Sequence, residues 1–243
     1  MPDDLKSDLP LRPVYSIEEE GTWQLLWAQQ VPDLRKNAHT SCVFGLEQAG
    51  FVASRIASLQ TLSANLQRHT GWSLTRVSGL VAQRPFFDLV ARRVFPATDF
   101  IRKRADLHYT PAPDLFHDQF GHLPLLTLPV YAHFFQRFGE AGTRANDQQV
   151  LQLARIYWFT VEFGLIRQDG QRKAFGAGLL SSIGELANAF SDRATVHPLN
   201  MAAIAARPFT TTEIQTDYFE AESFEHLMGS FETWATAQGL LQP

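Results

Sequence analysis

Residues 1–13 mix polar side chains with Pro2, Pro10 and Pro13 and hold no sustained apolar period, which predicts a flexible N-terminal tail. Helical periodicity starts at Ser16. Ser16 and Glu19 stand at capping-box spacing, and Trp23, Leu26 and Trp27 then recur on one face. Pro32 is expected to end that helix. A second helix is predicted from Ser41 to Gly50, with the glycine suited to the position after the last turn. A third opens at Ser54, turns Ile56, Leu59, Leu62 and Leu66 inward, and closes near Gly71. Pro85 suits the first position of a short helix that reaches Arg93.

Between Val94 and Pro113 the pattern is irregular, and Pro96, Pro111 and Pro113 forbid a long helix, so short strands or loops are expected. Helical spacing returns over Leu115–His122 and Val130–Glu140, and a longer helix is predicted from Asp147 to Leu165. Asp169-Gly170 reads as a two-residue hairpin turn between Leu165–Gln168 and Arg172–Phe175. A helix over Leu180–Phe190, a β-rich stretch over Thr210–Phe219 and a closing helix from Glu222 to Ala237 complete the pattern. There is no internal repeat, low-complexity tract or central linker. The expected architecture is mainly α with a few short β-strands, a single domain over 14–243 behind the tail at 1–13.

Composition narrows the function classes. Of 243 residues, 45% are apolar and 19% charged, an ordinary globular balance. The net charge of −4, with no basic block, excludes a strongly basic nucleic-acid binder. The longest apolar stretches, such as Leu123–Tyr131, fall short of the ~18 residues of a membrane span and contain proline. The acidic start lacks an apolar leader core. One cysteine, Cys42, leaves no internal disulfide and points to the reducing cytoplasm. Nineteen Phe and five Trp are enough to fill a core or to line a pocket for a flat aromatic ligand.

The most informative local feature is HDQFGH, from His117 to His122. Histidines five apart are displaced by about 140° on an ideal helix. They can share one ion only if His117 sits at a helix start or the helix is disturbed near Gly121. Glu162 is a third candidate, almost the only acid in a densely apolar helix, where a carboxylate is costly unless paired or bound to metal. Two imidazoles and one carboxylate suit non-haem Fe(II) and oxygen chemistry, and also catalytic zinc. The bland alternatives are two unrelated histidines, and a Glu162 paired with Arg155 or Arg102.

Around these residues lie four longer motifs: RVFPATDFIR from Arg93 to Arg102, YTPAPDLFHDQFGHLP from Tyr109 to Pro124, IYWFTVEFG from Ile156 to Gly164, and FGAGLLSSIGE from Phe175 to Glu185. In type, order and separation they resemble the pterin-dependent aromatic amino acid hydroxylases, the short bacterial phenylalanine hydroxylases most of all, over about residues 14–235. The resemblance implies that family's catalytic fold and a monooxygenase using Fe(II), tetrahydrobiopterin or a related tetrahydropterin, and O2 as co-substrate. The leading expectation is conversion of L-phenylalanine to L-tyrosine.

His117, His122 and Glu162 match the family's iron ligands. Phe86 matches the ring that stacks on the pterin, with Val81, Asp118, Ala154 and Tyr157 at further pterin positions. Arg102 matches the arginine that receives the amino acid's carboxylate, for which its fork of donors is suited. Thr110, Pro113, Gly178 and Ser181 match other substrate positions, and Glu185 is expected to orient a neighbouring group. Trp158 stands where phenylalanine and tyrosine hydroxylases carry Trp and animal tryptophan hydroxylases carry Phe, which favours a single-ring substrate.

Other features depart from the animal pattern. No regulatory domain precedes the core and no tetramerisation helix follows it, so a cytoplasmic monomer is expected, with small-molecule partners and neither nucleic acid nor membrane. The match begins only near Tyr15, so the segment that covers the site's mouth in longer relatives is expected to be short or absent. Phe209 replaces a Tyr and Thr211 a Val, which leaves open tryptophan, or another ring position of phenylalanine, as the target. From other classes, a zinc hydrolase and a non-catalytic amino-acid sensor compete.

Overall fold

The computed structural model describes residues 14–107 and 113–242. The N-terminal tail and Thr110 therefore lie outside the described residues. Helix α1, Ile17–Asn37, opens with the expected capping box, in which Ser16 accepts from Glu19 N and the Glu19 carboxylate accepts from Ser16 N. It does not stop at Pro32. Val31 and Leu34 continue its buried face, and their packing outweighs the ~3 kcal/mol that an internal proline costs.

Helix α2, Thr40–Ala49, ends at Gly50 with φ +97°, as the glycine suggested. Helix α3, Leu59–Thr70, starts later than Ser54, because Ser58 is the residue that caps Thr61 N. Ile56 instead lies in the irregular stretch ahead of the helix and donates its N–H to Glu20. In α4, Gln83–Ala91, Pro85 is the third residue rather than the first, still within the turn whose N–H groups have no helical partner.

Strands β1 (Ser73–Arg76) and β2 (Val94–Ala97) form a small parallel pair. A π-helical segment over Phe116–Gly121 leads into α5, Leu123–Leu126, and then α6, Pro129–Arg144. Helix α7, Asp147–Tyr157, passes into a second π-helical segment, Trp158–Glu162. The long helix expected to Leu165 thus ends three residues early, and Leu165 begins β3.

Strands β3 (Leu165–Gln168) and β4 (Gln171–Ala174) form the expected hairpin, with Asp169 and Gly170 both at positive φ. The helix expected over Leu180–Phe190 is two pieces, α8 (Ala177–Leu180) and α9 (Ile183–Ala189), because Ser182 caps a new start. Strand β5 (Thr195–Pro198) and helix α10 (Met201–Ala206) had no counterpart in the sequence reading. The β-rich stretch contracts to β6, Asp217–Ala221, since Thr210 and Thr212 bond to each other rather than to a neighbouring strand. Helix α11, Phe224–Ala237, closes the fold.

The main sheet has the order β4-β3-β6-β5, with β6 parallel to both neighbours. One continuous core runs from Trp23 to Leu241, built mostly of Leu, Phe and Ala, and α5 and α8 pack on the π-helical segments within it. Among the described residues no helix is long and apolar enough to cross a membrane.

Candidate active site

Both strongest site candidates sit on π-helical turns. In Phe116–Gly121 the chain returns to the same face after five residues instead of three or four. This is the disturbance that the five-residue spacing of His117 and His122 requires. In the second segment Phe163 N donates to Trp158 O, the i→i+5 bond that turns Glu162 inward.

The three side chains converge. His122 Nε2 lies 3.3 Å from one Glu162 oxygen and His117 Nε2 lies 3.5 Å from the other. The imidazoles stand at 89° with ring centroids 5.1 Å apart, and one ligand atom from each residue falls within 4.8 Å of the others. Among the described residues this is the one such group of three or more His, Cys, Asp or Glu. Neither arginine considered as a partner for Glu162 takes that place: Arg155 donates to Ala205 O, and Arg102 is held by Asp114.

Burial alone would raise the Glu162 carboxyl, but the His122 and His117 imidazoles beside it hold it well below the usual range. Burial pushes the His117 imidazole down, yet the Glu162 charge and hydrogen bond, helped by Asp118 and Asp114, hold it up at about 9. A buried anion clasped by two imidazoles is a site where a divalent cation can replace protons. On the far side of its ring His117 Nδ1 meets Ser181 Oγ at 3.0 Å, and that hydroxyl donates to Ala177 O at 2.7 Å. Nδ1 therefore carries a hydrogen, which leaves Nε2, on the Glu162 side, as the nitrogen whose lone pair a cation can take once it displaces the proton there. The donor set fits a facial metal triad.

Glycines allow these turns to pack. A Cβ on Gly176 would stand 2.3 Å from Glu162 O, and one on Gly121 would stand 2.9 Å from Ala177 O. Their absence seats α8 on both π segments and carries Ser181 to His117. Gly178 lies in the same contact, against Glu162 O and the Phe163 ring.

Around the centre, Asp118 accepts from Thr98 N and Oγ1 at 2.9 and 2.8 Å, while Gln119 Nε2 donates to Thr98 O. Burial raises the Asp118 carboxyl, against the pull of His117 and Thr98. Arg102 makes a forked pair with Asp114, Nε and Nη2 at 2.9 and 2.7 Å, and Asp114 also accepts from Arg102 N and His117 N. This is no surface cation: the two side chains are 6% and 0% exposed. Pro113 is half-buried beside Asp114.

Phe86 is half-buried and meets Tyr157 edge-on at 5.5 Å. Tyr157 lies 6.3 Å from the His122 ring, and burial and the Glu162 charge push its hydroxyl well up. Ala154 stands one turn before Tyr157 on α7, and Val81 is half-buried in the loop ahead of α4. Trp158 stacks on Phe209 at 4.6 Å and 14°, and its indole N–H donates to Gln215 Oε1. Glu185 accepts from Gln215 N, and burial pushes its carboxyl up to about 7. Thr211 is exposed.

Three residues of this network escaped the sequence reading: Asp114, Thr98 and Gln215. Asp114, three residues before His117 and preceded by proline, carried a local signal as an acid at a helix start. Thr98 and Gln215 carried none, since their partners come from distant segments.

The three side chains define a candidate metal centre of the two-histidine, one-carboxylate class. A family model described as biopterin-dependent aromatic amino acid hydroxylase matches residues 6–240, and the chain belongs to that family. The match begins ahead of Tyr15. A phenylalanine-4-hydroxylase of Mesorhizobium japonicum is 39% identical over 225 residues, covering 90% of this chain and 80% of its own. One from Caenorhabditis elegans is 40% identical over 91% of this chain, which spans 49% of that longer protein. A Chromobacterium violaceum phenylalanine hydroxylase structure, with bound iron(III) and 7,8-dihydrobiopterin, superimposes with a TM-score of 0.89 at 34% identity, over 97% of this chain and 87% of its own.

Proposed function

We propose that this chain hydroxylates the ring of free L-phenylalanine to give L-tyrosine, using Fe(II), a tetrahydropterin and O2. The observation that carries the reading is the convergence of His117, His122 and Glu162, with the Phe95 and Tyr157 rings beside His122, in a chain of this family. His117, His122 and Glu162 hold the iron, and the donor geometry leaves further positions open. Phe86 offers a stacking face for the pterin: its three ring neighbours, Phe87, Phe135 and Tyr157, meet it edge-on at 63°, 64° and 89°, and none lies parallel to it. When bound, iron and reduced pterin together activate O2 for transfer to an aromatic ring.

The chain's own work is positioning and the exclusion of water. Arg102, its fork fixed by Asp114, presents its remaining N–H groups to the substrate carboxylate. Trp158, backed by Phe209, forms a wall for a single ring, with Pro113, Gly178 and Ser181 completing the pocket and Thr110 joining it by the resemblance of its motif. Asp118, held by Thr98, faces the pterin together with Val81, Ala154 and Tyr157. Glu185 orients Gln215.

The same reading makes the chain a monomeric catalytic domain over 14–243 working in the cytoplasm, for which the lone buried thiol of Cys42 is suited. Sedimentation and cell fractionation test those two points. The activity is tested by aerobic turnover with phenylalanine and tryptophan in competition, all hydroxylated isomers being separated. Tyrosine formed only with both iron and pterin supports the proposal. Meta-tyrosine or 5-hydroxytryptophan moves the target, and no product from an iron-loaded site refutes the reaction.

A further inference from the structure

Gln215 is buried just ahead of β6, and every polar group it has is engaged. Its Oε1 accepts from the Trp158 indole N–H at 3.0 Å, and its Nε2 donates to Asp217 O. Its backbone N donates to Glu185 Oε2 at 3.3 Å, and its backbone O accepts from Asn188 Nδ2 and the Tyr218 hydroxyl, both at 2.6 Å. The amide has only one workable orientation. An indole N–H only donates and a carbonyl only accepts, so oxygen faces Trp158 and nitrogen faces Asp217.

Stacking does not by itself fix Trp158. The indole stacks on Phe209 at 14° and meets Phe163 tilted at 40°, each 4.6 Å away, and neither apolar contact selects the direction in which the indole N–H points. Phe209 is also 37% exposed, on a stretch without regular secondary structure. The one directional contact on the indole is the Gln215 amide. From this geometry we propose that Gln215 is a positioning residue for substrate specificity, holding the Trp158 ring in the plane and rotation that shape the amino-acid pocket. The proposal rests on the reading of Trp158 as a wall of that pocket.

The test compares Gln215→Met, which keeps side-chain length but removes the acceptor, with Trp158→Phe and the double variant in the iron-loaded enzyme. Phenylalanine KM, kcat and calorimetric Kd are measured for each. Gln215→Met is expected to raise KM and Kd about five- to tenfold with kcat changed by less than about twofold. In the Trp158→Phe background, where no indole N–H remains, the same substitution should change neither. Gln215→Asn, one methylene too short to reach the indole, serves if the methionine variant does not fold, and the same shift is expected of it.

An equal rise in both backgrounds would overturn the proposal, because the amide would then act through the 207–216 backbone alone. A Trp158→Phe variant with unchanged KM and Kd would overturn the wall reading, and the proposal with it. Trp158→Phe altering both while Gln215→Met alters neither would remove Gln215 and leave the wall standing.

Discussion

Ser181 Oγ and His117 Nδ1 stand 3.0 Å apart, and the same hydroxyl donates to Ala177 O, so one serine settles which nitrogen of His117 is free to bind an ion. Removing the hydroxyl releases both the tautomer and the ring orientation. Ser181→Ala is therefore expected to weaken Fe(II) binding roughly 10- to 100-fold, the usual effect of losing an outer partner of a ligating histidine. Competition against a colorimetric chelator measures it. An affinity within about twofold of the parent protein would show that packing alone orients His117.

Gly176 is pressed against the backbone that carries Glu162. Its φ of −66° is open to any residue, so space, not backbone freedom, demands glycine. A methyl group there would meet Glu162 O at 2.3 Å and Gly164 N at 2.6 Å, all backbone atoms that cannot swing away. Gly176→Ala should destabilise the fold by about 1–3 kcal/mol and displace Glu162. The check is a joint loss of thermal stability and iron affinity. Gly184→Ala, where a Cβ has nothing within 4 Å, is the control expected to behave like the parent protein.

How much could be read in advance follows how local each signal was. The Ser16–Glu19 capping box, the left-handed Gly50 and Gly71, and the Asp169-Gly170 turn depend on neighbours in sequence, and each stands where its residue type suggested. The five-residue gap between His117 and His122 pointed to a disturbed helix, and a π turn answers it. Pro32 misled, because the buried Val31 and Leu34 outweigh a local breaker. The parallel pairings of β1 with β2 and β5 with β6 leave no trace in short windows. Gln215 was hidden for the same reason: Trp158 and Glu185 lie 57 and 30 residues away from it.

Glu185 sets a pH dependence. Burial raises its folded pKa to about 7, above the ordinary carboxylate value of 4.5. Between those values the folded state holds a proton that the unfolded state has released, so this contribution is full below about 4.5 and is lost as pH rises through about 7. Glu185→Gln keeps an acceptor for Gln215 N and removes the titration. The variant should therefore lose less stability than the parent protein between pH 5 and pH 8, with about 2–4 °C of Tm for each ~1 kcal/mol. Parallel Tm–pH curves for the two proteins would contradict this.

Arg102 has two duties that a single substitution confuses. Its fork neutralises Asp114, whose side chain is fully buried, and its remaining N–H groups are proposed to bind the substrate carboxylate. Arg102→Met strands the Asp114 charge and should destabilise the protein by about 3–5 kcal/mol, whatever happens to substrate. Adding Asp114→Asn removes the stranded charge, the larger loss, although the amide's single oxygen can accept from only one of the two backbone N–H groups, at 102 and 117, that Asp114 Oδ2 and Oδ1 serve. Tm should then recover most of its loss, but phenylalanine KM should stay at the raised value of the single variant. Recovery of both together would reduce Arg102 to a structural counter-ion; recovery of Tm alone assigns it to the substrate.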